Sequence, residues 1–150
     1  MTAFVAAGTG FLLAVLWFDL MFDVQAARHR DPNLPETALA STANYYRRVT
    51  TAARPMNRLV AAVMVGTLAA IVVQLVRGDT PWWSASVSLA LTAGAISLAA
   101  LHTVPNAMRL GTRTDPISGQ SRLARSILRD HLLCITAVAA VLFVQLTFAR

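Results

Sequence analysis

The chain has no lysine, one cysteine, two tyrosines and only 13% charged residues among its 150. Each shortage excludes something. A single cysteine, Cys134, cannot build a disulfide framework. A soluble domain is about one quarter charged, roughly twice the fraction found here. A disordered chain needs low hydrophobicity, whereas 56% of these residues are hydrophobic and the mean hydropathy is +0.56. No Gly-rich phosphate loop, Gly-x-Ser-x-Gly elbow or paired-cysteine motif is present. These exclusions leave a small polytopic membrane protein.

Long apolar runs are what the sequence has instead. Crossing a hydrocarbon core about 30 Å thick takes about 20 apolar helical residues. Four segments qualify, at residues 4–24, 58–76, 82–102 and 132–148. The expected fold is therefore all-α: a single four-transmembrane-helix bundle with a cytoplasmic interfacial helix. A signal peptide is a poor reading of the first run, because no basic residue precedes it and no small-residue cleavage site follows.

The connections are unequal. Arg77-Gly-Asp-Thr-Pro81 is a tight turn. The connections over residues 25–57 and 103–131 are long. In the former, Pro35 to Arg54 reads as a helix broken by Pro55, with Tyr45, Tyr46, Arg47 and Arg48 as an anchor at the lipid surface. In the latter, Pro105 ends the third span, Asp115-Pro116 and Gly119 turn the chain, and an amphipathic helix from Ser121 runs into the fourth span.

Charge placement sets an orientation. The net charge is +6 and all 13 basic residues are arginine. Arg28, Arg30, Arg47, Arg48, Arg54 and Arg58 lie in or just after the first long connection, and Arg109, Arg113, Arg122, Arg125 and Arg129 in the second. Only Arg77 and Arg150 fall on the other side. Positive charge remains inside, so both long connections are expected in the cytoplasm and both termini outside, in the plasma (inner) membrane. The same placement argues against nucleic acid as the partner of these arginines. Small residues spaced by four, at Ala6/Gly10/Ala14, Ala62/Gly66/Ala70 and Ser86/Ala90/Gly94, are the expected contact stripes. Gln74 and Gln145 are placed to hydrogen-bond across the bundle near its outer end.

Ionisable residues within spans are costly and usually paired or functional. Here they gather at one level: Asp19 and Asp23 on the first span, Arg54, Asn57 and Arg58 on the second, His102 and Asn106 on the third, Asp130 and His131 on the fourth. Asp19 and Asp23 share a helix face and repel unless something lies between them. An arginine is the leading expectation. A divalent metal held with His102 and His131, or a shared proton usable in acid/base chemistry, are the others. Cys134 is read as an inert core thiol and His102 as a hydrogen-bonded histidine that could also serve as a base.

Val104-Pro-Asn-Ala-Met108, followed by Arg129-Asp-His-Leu-Leu133, resembles the DUF1772 (anthrone oxygenase-like) membrane proteins. Asp130-His131 stands where that family carries an Asn-His pair. Trp17-Phe-Asp-Leu-Met-Phe-Asp23 is not part of its pattern and suggests a distinct branch. The resemblance implies four helices and, for some members, oxygenation of polycyclic anthrones without an obvious cofactor.

Two functions follow as expectations. The favoured one is a non-enzymatic accessory subunit of a larger membrane assembly, such as a lipid transporter or respiratory complex. The alternative is a small enzyme acting on a hydrophobic small molecule or lipid. There His102 or His131 would be the base and Asp19 or Asp23 would orient it. The expected surroundings are the lipid bilayer and other membrane subunits, with no cofactor.

Overall fold

A computed structural model of the protein describes residues 1–52 and 54–149, the Arg54 side chain excepted. Four helices are long and apolar enough to cross a membrane. α1 (Thr2–Ala27) is followed by the short α2 (Glu36–Arg47), a π-helical turn at Arg48–Ala52 and α3 (Arg54–Arg77). α4 (Trp82–Leu98) passes through a second π-helical turn, Ala99–Thr103, into α5 (Val104–Thr112); α6 (Ile117–Phe148) completes the chain. α1 packs on α3 and α6, and α4 packs on the same two, so the long helices form an all-α four-helix bundle.

The local signals act as their chemistry requires. Gly78 closes α3 at φ +66°, and the Asp79 amide donates to the Gln74 carbonyl at 3.3 Å. This six-to-one bond stops a helix with a left-handed residue, for which glycine carries no Cβ penalty. Pro35, Pro81 and Pro116 stand immediately before α2, α4 and α6.

Pro105 behaves differently from expectation. It does not end the third span, because the helix runs on from Trp82 to Thr112. A proline ring normally clashes with the carbonyl one turn back and has no amide to donate. The wide turn at Ala99–Thr103 immediately precedes it and accommodates both defects. The amphipathic start of α6 does continue into the last span without a break.

The bundle has two buried apolar centres. Val5, Ala70, Ile71 and Val141 form the one among the spans. The other lies at the polar end, where Leu34, Leu39, Tyr46, Leu110 and Ile127 join α2, α5 and the start of α6. Leu39, Leu110 and Ile127 are fully buried, each contributing about 1.5–3 kcal/mol relative to exposure in water. Elsewhere the spans turn large apolar side chains outward, among them Phe4, Val65, Leu101 and Phe143, as lipid-facing surfaces do.

The expected small-residue stripes are not the main contacts. A Cβ on Gly10 or Gly94 would meet nothing within 4 Å, and Ala14, Ala62 and Ala90 are exposed. The close approach of α1 to α3 is instead at Gly8, where a Cβ would overlap Thr67 Oγ1. Four-residue spacing locates a face of a helix but not the partner that face meets. Gln74 and Gln145 do bond across the bundle, Nε2 to Oε1 at 3.1 Å, and Gln145 Nε2 donates to Ser88 Oγ at 3.0 Å.

Candidate functional site: two carboxylate–imidazole pairs

The polar residues at the other end of the bundle fall into two networks joined through Asp130-His131 on α6. Successive helical residues point about 100° apart. Asp130 therefore turns toward the α4–α5 junction while its neighbour His131 turns toward α1.

The first network is closed. Asp23, fully buried on α1, accepts from Tyr46 Oη at 2.5 Å through Oδ1 and lies 2.6 Å from His131 Nδ1 through Oδ2. Tyr45 Oη donates to Asp19 Oδ1 at 2.6 Å, and its ring stacks on Phe22 with centroids 3.9 Å apart. The remaining imidazole nitrogen, His131 Nε2, is 3.9 Å from Asp19 Oδ2, within ion-pair range but beyond a hydrogen bond. His131 and Tyr46 are 7% and 3% exposed, so this network has little access to solvent.

These contacts correct two expectations. Asp19 and Asp23 take tyrosine and histidine partners where arginine was expected; Asp23 has both oxygens engaged in this way. Tyr45 and Tyr46 are not surface anchors but the donors that neighbouring carboxylates require. Buried carboxylates must find donors, and the chain has only two tyrosines, adjacent and on the element that follows Asp19 and Asp23. That was the signal available in the sequence. Burial and the carboxylate bonds push both phenols well above their ordinary range: for Tyr45 desolvation leads, then the Asp19 bond, and for Tyr46 desolvation leads, then the Asp23 charge. Both therefore remain neutral donors.

The second network is open on one side. His102, in the π-helical turn, brings Nδ1 within 2.6 Å of Asp130 Oδ2. Thr103 Oγ1 donates to the same oxygen at 3.2 Å. Asn106 Nδ2 lies 3.3 Å from His102 Nε2. The Asp130 side chain is 2% exposed but that of His102 is 45% exposed. His102 faces a cavity of about 290 Å³, lined also by Asn106, Arg109, Arg122 and Ser126. π-helical turns recur at functional sites; here the turn carries both His102 and Thr103. Thr103 escapes sequence reading because its register depends on that extra-wide turn.

The other expected members are less central. Asn57 is half-buried on α3 and makes no side-chain hydrogen bond among the described residues. The side chain of Arg54 and residue Arg150 lie outside the described residues. Cys134 is buried, with Sγ 3.7 Å from the Ala95 carbonyl. Among the described residues, no group of three or more histidine, cysteine or acidic side chains is placed to hold a metal ion. The metal reading of Asp19, Asp23, His102 and His131 gives way because the two histidines serve separate carboxylates.

Beside the cavity, Arg109 grips Asp115 through Nε and Nη2 at 2.8 and 2.6 Å. That bond holds the Asp115 carboxyl below its ordinary range. Arg113, left-handed at φ 56°, closes α5 and donates to Glu36 at 2.6 Å. Arg125 donates to backbone carbonyls of Asp31 and Pro32. Part of the arginine excess thus fastens the long connections to one another. The chain was compared with protein-family models, curated proteins and solved structures, and matches none of them.

Proposed function

We propose that the protein is a small multi-pass enzyme of the plasma membrane that uses His102 as a general acid/base on a lipid-soluble substrate. The observation that carries this reading is the 2.6 Å pairing of a buried Asp130 with a half-exposed His102. A carboxylate on Nδ1 selects the tautomer whose lone pair is on Nε2, and stabilises the imidazolium formed when Nε2 takes a proton. Asn106 Nδ2 lies against the ring, 3.3 Å from Nε2 and 3.5 Å from Nδ1, and is a polar neighbour for a substrate at Nε2.

His131 has the supporting part. Its Nδ1 is tied to Asp23 and its ring is buried, so it holds α6 against α1 and keeps Asp130 in register. Asp19 and Asp23 support the site from that side. The resemblance to anthrone oxygenase-like proteins fits this reading, since Asn106 of one motif and Asp130 of the other both contact His102. The reaction that resemblance implies also begins with removal of a C–H proton by a base.

The arginine distribution supports placing the networks on the cytoplasmic side, with the α3–α4 turn and both chain termini outside. The accessory-subunit reading is supported by small size, by the lack of a recognised catalytic motif and by helix faces rich in small residues. Those features do not account for a carboxylate-backed imidazole that faces a cavity.

The test uses wild-type protein and His102→Gln in proteoliposomes made from the expression host's total lipid extract, in heavy water. Deuterium incorporation into a lipid component, or turnover of one, is expected with wild type and lost in the variant. Indistinguishable lipid profiles would sink the enzyme reading.

A further inference from the structure

A second, separate cavity begins one helical turn from His102, at Leu98. A groove of about 390 Å³ runs between α4 and α6, walled largely by small residues, including Ala90, Gly94, Ala95, Ala137 and Ala140. The two cavities have no lining residue in common and lie in line along one seam, between α6 and the α4–α5 helix. On α6 the residues facing it are Gly119, Arg122, Ser126, Leu133, Ala137 and Ala140, spaced at helical intervals. On the opposite wall Leu91, Gly94, Leu98, His102, Asn106 and Arg109 do the same. Leu98 and His102 are one turn apart, about 6 Å of helix.

The seam is chemically divided. Toward the middle of the spans it is apolar for about 12 Å of α4, from Ala90 to Leu98. Toward the polar end it carries Arg109, Arg122, Asn106 and His102. Arg109 is matched by Asp115; Arg122 acts on the same carboxylate through its charge and makes no side-chain hydrogen bond among the described residues, so two guanidinium groups share one acidic partner beside the cavity.

We propose that this seam binds one single-chain amphiphile with a phosphate monoester head group. The acyl chain lies in the small-residue groove, the phosphate meets Arg122 and Arg109, and the linking atoms pass His102. A lipid already in the leaflet has this order: head group at the interface, chain toward the bilayer centre. An anion at two guanidinium groups gains charge-assisted, directional hydrogen bonds, and a chain beside Gly94 fills space that no side chain occupies. The inference gives the site proposed above its ligand class and rests on that reading only for the role of His102.

Binding is measured apart from turnover, which keeps failure of one idea separate from failure of the other. The intact chain in neutral detergent is titrated with 1-palmitoyl lysophosphatidate and followed by native mass spectrometry. One bound molecule is expected, with at least tenfold weaker retention of 1-palmitoyl lysophosphatidylcholine and of inorganic phosphate. Arg122→Glu is expected to weaken lysophosphatidate at least tenfold. Gly94→Leu, which fills the groove from a position where the fold has room, is expected to do the same. Equal binding of the two lysolipids, equal binding of phosphate alone, or retention unchanged in both variants would overturn the proposal.

Discussion

Asp130 and His131, adjacent on α6, take partners on opposite helices: Asp130 holds His102 at 2.6 Å and His131 holds Asp23 at 2.6 Å. One dipeptide thus couples the α4–α5 junction to α1. Moving α6 by one residue would break both pairs together.

Loss of Asp23 should be the costliest single change in this end of the bundle. Asp23→Ala leaves Tyr46 and His131 unpaired inside the protein. Breaking a buried pair by removing one partner costs about 3–5 kcal/mol, so the unfolding midpoint in SDS titration should fall sharply. Tyr46→Phe removes one bond from a carboxylate that keeps the other, for a loss of about 1–3 kcal/mol. An Asp23→Ala chain as stable as wild type would show that the network does not hold α1 to α6.

The tyrosines provide a pH test. Both phenols are raised above the ordinary value of 10.0, so their contribution to stability is complete below pH 10 and is lost as pH rises toward the folded-state values. Native protein at pH 11 should show no phenolate absorbance near 295 nm, a wavelength at which only ionised tyrosine gains strongly. Unfolding in SDS at the same pH should release the signal of both. Phenolate appearing in the native state near pH 10 would contradict the buried Tyr45–Asp19 and Tyr46–Asp23 bonds.

Gly8 and Gly10 should respond oppositely to the same substitution. A Cβ at Gly8 overlaps the Thr67 hydroxyl, whereas one at Gly10 meets open space. Gly8→Ala is expected to cost about 1–3 kcal/mol by overpacking, and Thr67→Ala should relieve most of that cost in the double variant. Gly10→Ala should be neutral or slightly stabilising. Equal effects at both positions would place the α1–α3 contact elsewhere.

The glutamine bridge should matter modestly. Gln145→Ala removes the partner of Gln74 and of Ser88. Interhelical hydrogen bonds in membranes average about 0.6 kcal/mol and reach about 1.7 kcal/mol. Unfolding measurements should therefore find a loss in that range for each bond broken, with Gln74→Ala less than additive with it.

The proposed orientation is checked by cysteine labelling. Asp79→Cys, in the α3–α4 turn, should react with an impermeant maleimide on intact cells. Thr114→Cys, between α5 and α6, should react only after permeabilisation. The reverse pattern would invert the topology drawn from the arginines.

Much of the fold is legible in the sequence because lipid imposes simple rules. Apolar length marked the four spans, Gly78 and Pro81 marked the tight turn, and Asp115-Pro116 marked the turn before α6, although the helix starts at Ile117 and takes in Gly119, ahead of the Ser121 expected. Pro105 misled because a π-helical turn can absorb a proline that an ordinary α-helix cannot. The small-residue stripes misled because four-residue periodicity is equally present on lipid-facing surfaces, as at Gly10 and Gly94.

The candidate site divides in the same way. Their positions relative to the four apolar runs determined that Asp19, Asp23, His102, Asp130 and His131 lie toward one end of a membrane bundle, because a charge near a span must sit near its end or be paired. Only the tertiary structure decided the pairing: tyrosine for Asp19, tyrosine and His131 for Asp23, His102 for Asp130. The angular register between helices sets those choices, and it comes from side-chain packing such as Gly8 against Thr67 and Leu39 with Leu110 and Ile127, not from hydropathy. That register leaves one histidine sealed and the other facing a cavity, the difference on which the functional reading depends.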